Sequence, residues 1–288
     1  MYKILIAVLL MMNSSVGLAQ EKYCRYTTGN KTYYGKVLNN KVYQLDNAQW
    51  NGGKITRKKG LNIGDVKLLY PCEPQLILGL GKSYKESWTG KEPFKTVRWF
   101  LKPPSSAASP GDNVIIPSAV DALKVEVELV IVIGKKIKNG NEEEAAKSIF
   151  GYTIGNDIVA FTESYYEKEN SQPDETDALL GSGLKIGDGF APFGPFIYTG
   201  IDWQNRMRKL TVKDSQGKIK VNYENNTSGL MYSPAKIISD LSKVLTLSPG
   251  DIVFSGTTKA FVVKAGDTVK LGVEGMGEME NTIIATTN

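Results

Sequence analysis

A chain of 288 residues that is 41% hydrophobic and 23% charged has the make-up of an ordinary folded protein; this excludes disorder and leaves room for one large domain or one plus a small partner. The net charge of +5 is small, the lysines are interspersed with acids, and no nucleic-acid motif is present, so no nucleic-acid partner is expected. The sequence holds no histidine, which removes Ser-His-Asp and Cys-His catalysis and histidine-ligated zinc and leaves Glu, Asp, Lys or Tyr as the candidate general bases.

At the N-terminus, Lys3 precedes an apolar run from Ile4 to Met12, and Gly17-Leu18-Ala19 ends in the small residues of a signal-peptidase site. Residues 1–19 are therefore expected to be an export signal, with an uncleaved anchor as the alternative. The run is too short to span a bilayer, so no membrane association is expected once it is removed. The mature protein would be periplasmic or secreted. There the two cysteines, Cys24 and Cys72, are expected to pair as a disulfide, the alternative being two buried thiols.

Residues 20–71 alternate β-rich runs with Gly and Asn turns, at Tyr23 to Thr28, Lys31 to Val37 and Lys41 to Leu45, and read as a small β subdomain ahead of a main domain over residues 72–288. A strand from Gln75 to Leu80 leads into a polar, aromatic stretch, Lys82 to Trp99, with neither helical nor strand period; irregular loops of that length usually serve function. Gly81-Lys82-Ser83 imitates the end of a phosphate-binding loop, but the position that needs the first glycine is Leu76, so that reading is rejected. From Phe100 onward strands dominate. Helices are expected from Asn141 to Phe150, opened by a capping-box-like Asn141 and Glu144, and from Ser233 to Val244, where a cap precedes a first-turn proline. Lys213 to Lys218 reads as a hairpin turn, and Ser248 to Asp251 as a tight turn before a strand from Ile252 to Ser255. The main domain is thus a strand-rich α+β fold.

The chemistry concentrates in Lys124 to Gly134, a short β-branched run that reads as one strand, and in Asp157 on the next strand. Side chains alternate faces along a strand, so Glu126 and Glu128 point the same way beside an apolar run. Burying two such carboxylates is costly unless a divalent cation neutralises them; with Asp157 as a third oxygen ligand, the set suits Mg²⁺ or Mn²⁺ better than Zn²⁺. The alternative from spacing alone is an edge strand with its acidic face in solvent.

The ordered set Phe100-Leu101-Lys102-Pro103-Pro104-Ser105-Ser106, Pro110-Gly111-Asp112, Glu126-Val127-Glu128-Leu129, Gly151-Tyr152, Asn156-Asp157, Lys185, Pro192-Phe193-Gly194-Pro195, Pro249-Gly250-Asp251 and Ser255-Gly256-Thr257 resembles the fumarylacetoacetate hydrolase family from about Leu69 to Ile284. The resemblance implies a mixed β-sheet and β-roll catalytic domain behind a small N-terminal β subdomain, and a homodimer. It also implies a metal held by Glu126, Glu128 and Asp157, with an active-site lysine at Lys185. The matched positions Tyr84, Lys102 and Thr257 are expected to contact substrate. Departures are equally clear: Ser87 stands in the place of the family's histidine, Gly90 in that of its glutamate partner, Phe161 where an arginine is common, and Thr258 where the family turn has proline.

The expected function is that of a metal-dependent enzyme acting on a small 2-oxo acid or β-diketo acid. The ion would serve as a Lewis acid that stabilises an enolate, and Lys185 would neutralise a carboxylate or polarise the oxyanion. With the usual base missing, decarboxylation or keto-enol isomerisation ranks above C–C hydrolysis. Glu86 or Glu92 in the irregular loop could replace the base, the alternative being solvated loop charges. A catalytically inactive, metal-dependent binding protein for oxo acids is the rival reading.

Overall fold

The structure, a computed structural model, describes residues 20–88, 94–161 and 185–286; the expected signal segment lies outside the described residues. The chain opens with a meander of β1 (Glu21–Thr28), β2 (Lys31–Leu38) and β3 (Lys41–Gln44), followed by the short strands β4 (Leu61–Asn62) and β5 (Lys67–Leu69). Asn39 and Asn40, at φ 47° and 61°, make the two-residue turn between β2 and β3, a left-handed conformation that asparagine tolerates better than most residues. Then come β6 (Ile77–Leu80), β7 (Trp99–Lys102), β8 (Ala107–Ala108), β9 (Asn113–Ile116), β10 (Ala122–Val125) and β11 (Val127–Ile133). The helix α1 (Glu142–Ser148) precedes β12 (Ile149–Asn156), β13 (Val159–Phe161), β14 (Ala191–Pro192), β15 (Phe196–Thr199), β16 (Met207–Lys213) and β17 (Ile219–Asn226). After α2 (Pro234–Val244) the chain ends in β18 (Ile252–Phe254), β19 (Phe261–Val263), β20 (Thr268–Val273) and β21 (Gly277–Ala285).

The fold is the strand-rich α+β architecture expected, with two α-helices among the described residues. The largest sheet runs β4-β3-β2-β1-β15-β12-β11-β18-β6-β7, with β5 also on β1, so the N-terminal strands continue the main sheet through the antiparallel β1 and β15 pair. A five-stranded sheet, β17-β16-β20-β21-β9, and a three-stranded one, β13-β10-β19, complete the frame of the site. All seven residues of β11 are buried, which fits a central strand covered on both faces and explains its near-continuous apolar run.

Local signals were realised where their partners are local. Asn141 and Glu144 form a full capping box on α1, and the Ser233 hydroxyl accepts from the Lys236 amide at the start of α2. The apolar face of α2 buries Ile237, Ile238 and Leu241 in the main core. Asp214 Oδ1 accepts from the amides of Gln216 and Lys218 to close the β16 and β17 hairpin. The strand expected from Gln75 starts at Ile77, because the amides of Gln75 and Leu76 donate to Asp251 Oδ1 at 3.0 and 2.8 Å rather than to a ladder.

The expected disulfide is not formed. Cys24, on β1, is buried with Tyr26, Val37 and Val42, whereas Cys72 is buried in a different cluster with Ile77, Val130, Ile252 and Phe254, and both are free thiols. Burial pushes the Cys24 thiol up to about 12 and raises that of Cys72 as well, so both stay protonated and unreactive at neutral pH.

Candidate metal centre and active site

Glu126 stands where the chain leaves the three-stranded sheet as β10 and enters the large sheet as β11. Asp157 occupies the matching point between β12 and β13. The two junctions are tied together: the Glu126 amide donates to Asn156 Oδ1 at 3.1 Å, and the Asp157 amide donates to the Glu126 carbonyl at 3.1 Å. A side-chain amide thereby replaces one ladder bond, so both strands change sheets without orphaning a peptide group. The single strand expected from Lys124 to Gly134 is accordingly broken at Glu126. Glu128 lies inside β11 opposite Gly155 and is fully buried, which overturns the reading of a solvated edge. Glu126, Glu128 and Asp157 each offer an oxygen, and these atoms lie within 4.8 Å of one another.

Two lysines answer this negative charge. Lys102 and Asp157 are wholly buried, with Nζ 2.8 Å from Oδ1. Lys185 bonds to Asp157 Oδ2 and reaches Glu126 Oε2 at 3.4 Å, with its side chain 26% exposed. Burial alone would raise the Asp157 carboxyl, but Lys102 and Lys185 outweigh it and hold it below its ordinary range. Burial, and then the charge of Asp157, push Glu126 up to about 7 and Glu128 well above the usual carboxylate range. Glu128 Oε2 accepts from the Gly256 amide at 2.6 Å, while its Oε1 is buried without a partner among the described residues. Three buried carboxylates, two of them with pKa values raised by burial and then by neighbouring charge, and one Glu128 oxygen without a partner among the described residues, fit a hard divalent cation.

The other expected site residues divide. Lys185 joins the carboxylates, with its ammonium 4.7 Å from the centre of the Phe100 ring. Lys102 lies beside the centre but donates to the carbonyls of Ile158, Lys185 and Phe190 at 2.8 to 3.0 Å. Its three donors are thus committed to the chain, and the expected substrate contact gives way to that of a clip holding the segments around Asp157. Tyr84 is fully buried beneath the Arg208 guanidinium, with its hydroxyl near the Ser255 side chain. Thr257 adjoins Gly256, its buried hydroxyl without a partner among the described residues. Glu86 is exposed on a 3-10 turn, Lys85–Ser87, and its carboxylate lies over Gly229, where a Cβ would come within 2.7 Å of Oε2. Ser87 Oγ donates to the Tyr84 carbonyl at 2.8 Å and so closes that turn. Glu92 and Gly90 lie outside the described residues.

Several residues were missed by sequence reasoning. Arg208 is fully buried on β16, with Nε on Asn225 Oδ1 and Nη1 on the Gly256 carbonyl. A signal for it existed: Arg208, Leu210 and Val212 share one face of an alternating strand, so the arginine sits on the core side. Ser83, read only as part of a false phosphate loop, donates to the Ser255 carbonyl at 2.6 Å. That approach requires glycine next door: Gly256 has φ +92°, and a Cβ there would lie 1.9 Å from Ser83 Oγ.

Comparison with known proteins places this geometry. Residues 78–284 match the fumarylacetoacetate (FAA) hydrolase C-terminal family, and residues 21–71 match the Rv2993c-like N-terminal family. The chain belongs to the fumarylacetoacetate hydrolase family, a family of enzymes. It is 34% identical over 247 residues to the fumarylacetoacetate hydrolase domain-containing protein 2 homolog of Dictyostelium discoideum, covering 77% of this chain and 75% of that one. It is also 30% identical over 246 residues to the mitochondrial oxaloacetate tautomerase fahd2 of Xenopus laevis, covering 78% and 70%. The crystal structure of 5-carboxymethyl-2-hydroxymuconate delta-isomerase from Mycobacterium smegmatis superposes with a TM-score of 0.75 at 26% identity, over 92% of this chain and 100% of that one.

Proposed function

We propose that this chain is an exported, Mg²⁺- or Mn²⁺-dependent enzyme that decarboxylates or isomerises a small 2-oxo acid or β-diketo acid. The observation that carries this reading is the buried set of Glu126, Glu128 and Asp157, with Glu128 Oε1 unpartnered among the described residues and the partly exposed Lys185 beside it. A divalent ion bound there would supply Lewis acidity toward the substrate's carboxylate and 2-oxo oxygen. Lys185 is the cation best placed to meet a developing oxyanion; burial works to lower its pKa, but Asp157 and Glu126 more than compensate, so it stays charged. Lys102, through its three carbonyl contacts, holds Asp157 and the backbone of Lys185 in register.

Hydrolysis of a C–C bond needs a base to activate water, and the residues at hand argue for lighter proton chemistry. No histidine exists, Ser87 is engaged in its own turn, and Glu86 lies on the surface over Gly229. Kinship with proteins named as a tautomerase and an isomerase supports the same preference. The engagement of Ser87 also favours, as a second reading, a metal-dependent binder of oxo acids without turnover.

The test is turnover of oxaloacetate and of an acylpyruvate with Mn²⁺ and with chelator, in wild type and in Glu128→Gln, a near-isosteric change that still offers an acceptor to the Gly256 amide. Turnover abolished by chelator and by the substitution is the expected result. Mn²⁺-dependent binding without turnover selects the binder, and neither binding nor turnover overturns both readings.

A further inference from the structure

Around the Ser255-Gly256-Thr257 tripeptide the structure collects polar atoms that its own hydrogen bonding does not use. The loop is pinned from three sides: its Gly256 amide donates to Glu128, its Gly256 carbonyl accepts from Arg208 Nη1 at 2.8 Å, and its Ser255 carbonyl accepts from Ser83. Arg208 Nη2 and Thr257 Oγ1 are buried there without a partner among the described residues, and the Tyr84 hydroxyl has the Ser255 side chain within reach. Each can donate a hydrogen bond. Burial raises the Tyr84 phenol above its ordinary value, so at neutral pH it keeps the proton it would donate.

Arg208 is the odd member of this group. Its side chain is fully buried, and among the described residues no carboxylate pairs with it; its neighbours are an amide oxygen, a carbonyl and the Tyr84 ring 4.3 Å away. Holding the loop requires only Nε and Nη1, and an uncharged donor could do that. A buried guanidinium without a counter-charge is expensive, and an unused Nη2 adds to the cost. One peptide away, across Gly256, lie three carboxylates suited to a cation. The surroundings of Gly256 are therefore bipolar, with an acidic half at its amide and a half of donors around one positive charge at its carbonyl.

We infer that Arg208 is a specificity-determining residue whose Nη2, together with the Tyr84 hydroxyl, receives a second carboxylate of the substrate, the one not directed at Glu126, Glu128 and Asp157. This rests on the function proposed above and narrows it: the site selects a 2-oxo dicarboxylate over a 2-oxo monocarboxylate. The carboxylate supplies both the missing counter-charge and the missing acceptors, and a planar guanidinium is the donor best matched to it.

The test is equilibrium binding of oxaloacetate and of pyruvate to the Mn²⁺-loaded full chain, read by tryptophan fluorescence, in wild type, Arg208→Gln, Arg208→Lys and Tyr84→Phe. Wild type should bind oxaloacetate at least about tenfold more tightly than pyruvate, as one charge-assisted hydrogen bond supplies. Arg208→Gln should remove that preference and Arg208→Lys reduce it, each with Mn²⁺ and pyruvate affinity retained. Tyr84→Phe deletes one hydroxyl and leaves the ring against Arg208 in place, so it should lower the preference even if the Arg208 variants fail to fold. An undiminished preference in the folded variants, an equal loss for both acids, or a wild type indifferent to the second carboxylate would each overturn the assignment while leaving the proposed function standing. Wild type that binds neither acid with Mn²⁺ would overturn the function itself and this assignment with it.

Discussion

Replacing Lys102 by Met isolates the contribution of one buried ammonium. Lys102 and Asp157 are both fully buried with 2.8 Å between Nζ and Oδ1, and the same nitrogen serves the carbonyls of Ile158, Lys185 and Phe190. Methionine retains much of the stem's packing, so the loss is one charge and three donors. Removing one member of a buried ion pair costs about 3–5 kcal/mol. Orphaned carbonyls push toward the upper end of that range, whereas Lys185, still on Asp157, pulls toward the lower. We take about 4 kcal/mol, and at roughly 2–4 °C per kcal/mol for a chain of this size Tm should fall by roughly 8–16 °C. Thermal unfolding followed by circular dichroism measures this, with Mn²⁺ titration calorimetry on the same samples. Mn²⁺ affinity should fall too, because the clip positions the segment that carries Asp157. A variant that melts within about 2 °C of wild type with unchanged Mn²⁺ affinity would refute the reasoning, since that shift corresponds to no more than about 1 kcal/mol.

Lys185→Met should lower kcat by about 10²-fold or more, as for the loss of one oxyanion donor, without weakening Mn²⁺ binding, because the ammonium competes for oxygens of Glu126 and Asp157; steady-state kinetics beside calorimetry separates the two effects. Burial and the neighbouring Asp157 charge place the Glu126 carboxyl at about 7, above its unfolded value, so its ionisation opposes the metal-free fold increasingly as pH rises from the ordinary carboxylate range through about 7. Cation binding needs the ionised form, and therefore Mn²⁺ affinity should fall as pH drops below about 7, with protons released on binding near pH 6. Titration in buffers of different ionisation enthalpy reads that release, and its absence would count against Glu126 as a ligand. Protein recovered from its native host should lack residues 1–19; an intact mass that retains Lys3 would end the proposal of export.

Strand-rich character, the capped helix starts and the turns at Lys213 to Lys218 and Ser248 to Asp251 were legible because each depends on side chains within a few residues of the backbone they serve. The acidic set was legible chiefly through the family resemblance; spacing alone left a solvated edge strand open, since carboxylates beside an apolar run need compensation only if the strand is buried on that face. What compensates them is a long-range matter. Composition and spacing do not tell Lys102 and Lys185 from solvated cations, and alternation along β16 marks Arg208 only as core-facing; which groups these charges meet waits on the sheet order that brings β7, β12 and the segment at Lys185 together and sets β16 against the Gly256 loop. The same ordering separates Cys24 from Cys72 in distinct apolar clusters, and the change of sheet at Glu126 breaks a strand whose residues read as continuous. Periodicity and capping are set by covalent neighbours, so the sequence alone determined them. Which charges meet, and which buried donors lack a partner among the described residues, follows from contacts between residues such as Ser83 and Ser255, 172 positions apart, and only the tertiary structure decided it.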